Sequence, residues 1–390
     1  MTGFERPLRM TEQEGQLKEL LDLVEANIDP EHCERVDQRY RRALAYEDVD
    51  WAPLLIRSPF AGQFSLPAPW DKFNRYPYSE AFCSPAAMLQ NQLLGQVVPG
   101  LVIRDDNPLA IRNDHGTIQI ASLLGASWAI REDSYPWVEA LDSDEAVCSL
   151  IEEDESIDWE KGVVGQSRQT LEFYHEQLRI YPLCQEAIQI SLPDLQGPID
   201  TAEMLWGGQM LMALLDRPEL ARRLMDKIVQ AMMAAAEYYR NFAWDKLEPF
   251  ANTQHGYNIA GRLLIRDDSA IMVAPETYRE VIRPHDAKLL REVGGGSIHF
   301  CGNGEHLLES MLEIPDCRGF DFGQPGMMNI KRICERCQER KTAIAGLTPS
   351  REELVSGQAR RDFPTGVVHV YITTDIDDAR EVVEAYKVSG

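Results

Sequence analysis

The stretch Ile298-His299-Phe300-Cys301-Gly302-Asn303-Gly304-Glu305-His306-Leu307-Leu308-Glu309-Ser310-Met311-Leu312-Glu313 decides the fold. Residues 298–301 read as a strand, Gly302 frees the chain to turn, and 305–313 read as a helix. The same unit recurs downstream. A strand over 318–322 is followed by a helix beginning near Met328. A strand over 342–345, ended by Gly346, precedes a strand over 367–372. A helix over 376–386 follows, with Ile376, Ala379, Val383 and Tyr386 on one face. Upstream, 187–191 is a strand candidate, followed by helices over 200–215 and 218–242. Strand, short loop and helix in repetition require parallel strands with helical crossovers. A closed barrel and an open doubly wound sheet both satisfy that rule. A nucleotide-binding open sheet would carry a glycine-rich turn opening a helix, whereas Gly294-Gly295-Gly296 precedes a strand and reads as a linker. The expected fold is therefore α/β, a (β/α)8 TIM barrel, with its chemistry at the C-terminal ends of the strands.

Working outward, residues 1–50 read as an N-terminal helical extension and 51–390 as the barrel. Leu17, Leu20, Leu21 and Val24 fall on one face of a first helix, and a second runs over 31–45. Residues 48–51 lead into the apolar run 52–56. Residues 60–78, rich in Pro, Gly and aromatics without periodicity, read as a long loop over the barrel, of the kind that forms lids and binding loops. A helix is expected over 84–96, then a polar stretch over 104–107. The acidic stretch 142–160 reads as a solvated helix and loop.

Composition narrows the function. The chain has 390 residues, 44% of them hydrophobic, enough for a large core. With 39 basic and 63 acidic residues its formal charge is -24, which repels a nucleic acid over most of the surface. The first residues lack the basic head and apolar core of a signal peptide. No apolar run reaches the roughly 18 residues needed to span a bilayer. The eight cysteines are spread thinly along the chain, as reduced thiols in a cytoplasm would be. The expected partner is a small-molecule substrate, with neither nucleic acid nor membrane.

His299-x-Cys301-Gly302 is the strongest local signal. Residues two apart in a strand point to the same side, so an imidazole and a thiol converge at a strand end. Neutral imidazole and thiolate suit Zn2+, and a catalytic zinc uses three protein ligands and an open position. The alternative is a buried thiol beside a hydrogen-bonded histidine. Cys334-x-x-Cys337 matches half a zinc knuckle with no second half, and reads as two thiols on a helix face. Asp194, Asp268 and Asp321 lie just after strand candidates. Each is a candidate acid–base group or polar anchor, or else a loop cap. Arg57, Asp114, His115, Gln196, His255, Asn258 and Gln324 are the candidates for substrate contact.

Taken together, Asp267-Asp268, Ala274-Pro275-Glu276-Thr277-Tyr278, Arg283-Pro284 and Ile298-His299-Phe300-Cys301-Gly302 resemble the uroporphyrinogen decarboxylase superfamily. Leu195-Gln196-Gly197-Pro198 upstream and Phe320-Asp321-Phe322-Gly323 downstream go with them. The resemblance spans residues 50–390 and is strongest over 186–346. It implies a (β/α)8 barrel and one of two activities, tetrapyrrole decarboxylation or cobalamin-dependent methyl transfer. The decarboxylase branch carries Arg-Gln-Ala-Gly-Arg where this chain reads Arg57-Ser58-Pro59-Phe60-Ala61-Gly62, with a single arginine. The methyltransferase branch holds zinc through His-x-Cys, matched by His299 and Cys301, and through a further cysteine near the last strand. Here no cysteine follows Cys337, so His369 or an acid would have to serve.

The expectation is a zinc-assisted, corrinoid-dependent methyltransferase, with a corrinoid as methyl carrier and a corrinoid protein as a possible partner. A metal-free carboxy-lyase and a non-catalytic corrinoid- or small-molecule-binding relative are the alternatives.

Overall fold

The structure, a computed structural model, describes residues 8–59, 63–153 and 156–389, with side chains from residue 13 onward. Residues 1–6, where the absence of a leader was read, lie outside it. So do 60–62 at the start of the expected long loop, and 154–155 in the acidic stretch.

Two helices come first, Leu8–Asn27 and Pro30–Leu44. Asp29 separates them, its carboxylate accepting the amide of His32 at 3.1 Å while Pro30 occupies the first helical position. Leu17, Leu20, Leu21 and Val24 are all buried, and that face packs against the helix Pro85–Gln92. Pro85–Gln92 widens into a π-turn over Leu93–Val97. The reason is Pro99, which has no amide to return to the carbonyl of Gly95, so the amide of Val98 reaches back to Leu93 instead. Pro284 does the same to the π-turn Tyr278–Ile282.

The centre is a six-stranded, all-parallel sheet. Its order is Leu54–Arg57, Val367–Ile372, Ala343–Leu347, Cys317–Phe322, Gly296–Phe300 and Leu264–Arg266. Ala110–Ile111 and Gln189–Ile190 form a separate parallel pair. The fold is thus mixed α/β with a central parallel sheet. Among the described residues no backbone ladder joins the pair to the six strands. At the free edge of Leu54–Arg57, carboxylates replace a neighbouring strand: Asp106 accepts the amide of Leu54 at 2.9 Å and Asp105 that of Ile56 at 2.6 Å. Side chains of the polar stretch 104–107 thereby satisfy an edge that would otherwise be unpaired.

The two sheet faces carry different cores. Leu54 and Ile56 pack with Ile376, Ala379, Val383 and Tyr386 of the C-terminal helix. Leu55, Leu264, Ala343, Ala345, Val368 and Val370 face the other way. They meet Tyr257, Ile259 and Ala260 of an antiparallel hairpin, Ala251–Gln254 with Tyr257–Ala260, to which the sequence reading assigned no element. The hairpin turns at His255-Gly256, both with positive φ (51° and 78°).

Three expectations need correction. The helix expected over 200–215 is two, Pro198–Trp206 and Gln209–Asp216, broken at Gly207, whose φ is 61°. Gly346 does not end its strand; the strand runs through it to Leu347 with a shift in register. His369 is fully buried with its ring 6.0 Å from that of Tyr386, on the helix side of the sheet, and so cannot be the missing ligand. No helix among the described residues is long and apolar enough to cross a membrane.

Candidate functional site

Register assembles the site. Arg266 pairs with His299 and His299 with Asp321, so three polar side chains stand in one row across adjacent parallel strands. Their neighbours Ile298, Phe300, Phe320 and Phe322 turn to the opposite face and are buried in the main core. Alternation thus holds the apolar residues among helices and leaves the polar row at the strand ends.

Asp321 is the hub. Its Oδ2 accepts Nδ1–H of His299 at 2.7 Å and Nδ1–H of His255 at 2.8 Å, and its Oδ1 accepts the hydroxyl of Tyr257. Gly346 backs it closely: a Cβ there would lie 2.8 Å from Asp321 Oδ1, and its φ is 76°. Burial alone would raise the Asp321 carboxyl, but the two imidazoles hold it well below the usual carboxylate range.

The two histidines are in opposite states. His255 Nε2 lies 2.9 Å from Nη2 of Arg266. A guanidinium can only donate, so Nε2 carries the lone pair and Nδ1 the proton. Burial, reinforced by Arg266, drives this imidazole down to about 4, and it is neutral at pH 7. At His299 burial also disfavours charge, but Asp321 overrides it and lifts the imidazole up to about 10. Its Nε2 faces Sγ of Cys301 at 3.5 Å and Oδ1 of Asp268 at 3.7 Å. Asp268 Oδ1 also accepts the amide of Cys301 at 2.6 Å, which ties carboxylate and thiol together.

Two trios therefore have metal-ligating atoms close together: His255, His299 and Asp321, and Asp268, His299 and Cys301. In the first, both Nδ1 atoms bear protons aimed at one carboxylate oxygen, so the trio is satisfied internally. In the second, an imidazole nitrogen, a thiol sulfur and a carboxylate oxygen converge, and a metal bound there would displace the Nε2 proton of His299. That trio fits a metal.

Behind the strand ends, Asp194 Oδ1 accepts Nη1 of Arg266 at 2.6 Å and the side-chain amide of Gln196 at 3.2 Å. Its Oδ2 lies 3.8 Å from Arg112. Burial opposes its charge, and Arg266 and Arg112 keep it ionised below the ordinary carboxylate value. Asp267, next to Asp268, is its opposite: fully buried beside Asp286 and Asp200, its carboxyl is raised by burial and by these like charges.

These groups open onto a cleft of about 980 Å³ whose lining includes Arg57, Arg112, Asp114, Asp194, Gln196, His255, Arg266, Asp268 and His299. Arg75, Tyr78 and Tyr135 line it as well. Asp114 accepts the hydroxyl of Tyr135 at 3.1 Å. Three sequence candidates stand elsewhere. His115 is buried among helices, its Nδ1 3.4 Å from Ser167 and its ring against Phe82, and burial lowers it to about 4. Asn258 is buried in the hairpin, accepting from Thr253 at 2.7 Å. Gln324 is exposed and accepts the amide of Gly302. Cys334 and Cys337 lie on the helix Ile330–Arg340, and burial pushes the Cys334 thiol up to about 12. Arg266, Tyr257 and Arg75 were not among the candidates. Arg266 alone left a signal, a charge closing an apolar strand.

No protein-family model matches the chain, and no curated protein matches it in sequence. Among solved structures it is similar to a methyltransferase from Methanosarcina mazei, with a TM-score of 0.58 and 14% identity, over 90% of this chain and 98% of that one. At that identity the likeness speaks for the fold.

Proposed function

We propose that the chain is a metal-assisted methyltransferase, acting on a small molecule at the ends of the strands that carry Arg266, His299 and Asp321. The observation that carries the reading is the convergence of His299 Nε2, Cys301 Sγ and the Asp268 carboxylate. With bonds of about 2.0 Å to nitrogen or oxygen and about 2.3 Å to sulfur, ligands of a tetrahedral zinc sit roughly 3.3–3.6 Å apart. The separations here are 3.5 Å from Nε2 to Sγ and 3.7 Å from Nε2 to Oδ1. Asp268 fills the place that the sequence left to His369 or an acid.

A zinc ion bound there would stabilise an acceptor thiol or similar group as its anion. The chain's own residues prepare that position. Asp321 accepts a hydrogen bond from Nδ1–H of His299, which fixes the ring and turns Nε2 toward the ligand site. Neutral His255, held by Arg266, supports the same carboxylate without competing for metal. The methyl group would come from a corrinoid on a partner protein, as the family resemblance implies. Support for methyl transfer comes from that resemblance and from the fold shared with a methyltransferase.

Protein purified without chelators should carry about one zinc per chain, and Cys301→Ser and Asp268→Asn should each remove it. Methyl transfer from methylcobalamin should fall with the metal. A Cys301→Ser variant that keeps full zinc and full activity would overturn the reading.

One observation favours a second reading, a metal-free carboxy-lyase. With no metal, His299 is protonated at neutral pH and could deliver its Nε2 proton to the carbon that CO2 leaves. Carboxylate substrate turned over at full rate after chelator treatment would select it.

A further inference from the structure

We infer that the small molecule taken by this cleft carries an acid group, a carboxylate or a phosphate, and that Arg57 and Arg75 hold it. The inference rests on the cleft being the substrate site and names what enters it.

The chain bears a charge of -24, yet four guanidinia line this one cleft. Two of them are matched. Arg266 pairs with Asp194, and Arg112 with Asp194 and Asp114. The remaining acids of the cleft are engaged elsewhere: Asp268 beside Cys301, and Asp133 with the amide and hydroxyl of Ser79. Among the described residues no carboxylate lies within ion-pair distance of Arg57 or Arg75.

Both guanidinia are instead held on the π-turn Leu93–Val97 by neutral acceptors. Arg57 Nη1 donates to Oε1 of Gln96 at 2.6 Å, and Arg75 Nη2 to the carbonyl of Leu94 at 2.7 Å. A guanidinium has five donors, so each retains most of its capacity. Arg57 is also fixed from above: at Gly256, with φ of 78°, a Cβ would collide with its Nη1. Two cations held on one turn, partly withdrawn from water and with no carboxylate in ion-pair contact among the described residues, are unfavourable by themselves. A planar acid relieves that cost, and forked guanidinia suit its oxygens. In the same cleft, Tyr78 and Tyr135 have their rings 4.6 Å apart, an apolar surface for the body of such a ligand.

The test is calorimetric titration of the full chain with succinate, with inorganic phosphate and with neutral succinamide, before and after zinc removal. Saturable binding of either anion, absent with succinamide, is expected, and whichever of succinate and phosphate binds tighter identifies the acid. Arg75→Gln and Arg57→Gln should each weaken it by about tenfold or more, with Arg75→Lys intermediate. Binding equal for succinate and succinamide, or unaltered in the double Gln variant, overturns the inference. The succinamide comparison needs no variant, so a misfolded mutant does not blunt it. Anion binding in a protein that takes up no zinc would defeat the metal reading and leave this one standing.

Discussion

The cleft has two halves built in different ways. On one, Arg266, His299 and Asp321 stand in register across neighbouring strands, and the hydrogen-bonding positions of the carboxylate hub are filled. On the other, Arg57 and Arg75 come from a strand end and a loop, meet on a π-turn, and lack counter-charges among the described residues. A strand row is specified by backbone hydrogen bonds and tolerates little displacement. The arginine half depends on side chains reaching a common point. The first half suits fixed ligation and the second the seating of a ligand that completes it.

Three substitutions probe how separate the halves are. Asp321→Asn should have the largest effect. Loss of the carboxylate that fixes His299 should weaken zinc binding by about 10–100-fold, while succinate affinity changes little; zinc competition and calorimetry read the two. A comparable drop in both would show the halves to be one unit. Gly256→Ala should act in reverse. Its Cβ displaces Arg57, and the strained φ costs about 1–2 kcal/mol. Anion affinity should fall severalfold with zinc per chain unchanged, and a lost zinc instead would show that the hairpin supports the metal half. Tyr135→Phe should do least. It removes one partly exposed hydrogen bond to Asp114, worth about 0.5–1.5 kcal/mol, and should leave zinc content intact with at most a few-fold rise in KM.

The same division explains what could be read from the sequence. Period-two alternation put His299 and Cys301 on one side of a strand end, and Asp268 and Asp321 were read from their places beside apolar runs of strand character. Asp268 was legible as a polar anchor but not as a ligand, because only the fold carries it across to Cys301. The hairpin 251–260 escaped notice because Asn252, Thr253, Gln254 and Asn258 break any apolar alternation. They are buried, with several of their polar groups bonded within the fold. His115 looked like a site residue because it sits in a polar cluster, Asn113-Asp114-His115. In the fold Asp114 faces the cleft and His115 turns to the helices. Arg75 lies in a stretch without periodicity, where no pattern announces direction.

The π-turn at Leu93–Val97 also bears on which lengths of chain this cleft can accept. A π-turn accommodates one residue more than a regular helical turn. Deleting a single residue there would restore ordinary α-helical winding and rotate one side against the other by about 100°. The carbonyl of Leu94 and the side chain of Gln96 would then leave the two guanidinia together. Insertions and deletions at this turn, rather than exchanges of side chains along the walls, are the changes by which descendants of this chain would lose the arginine seat in one step while keeping the strand row intact.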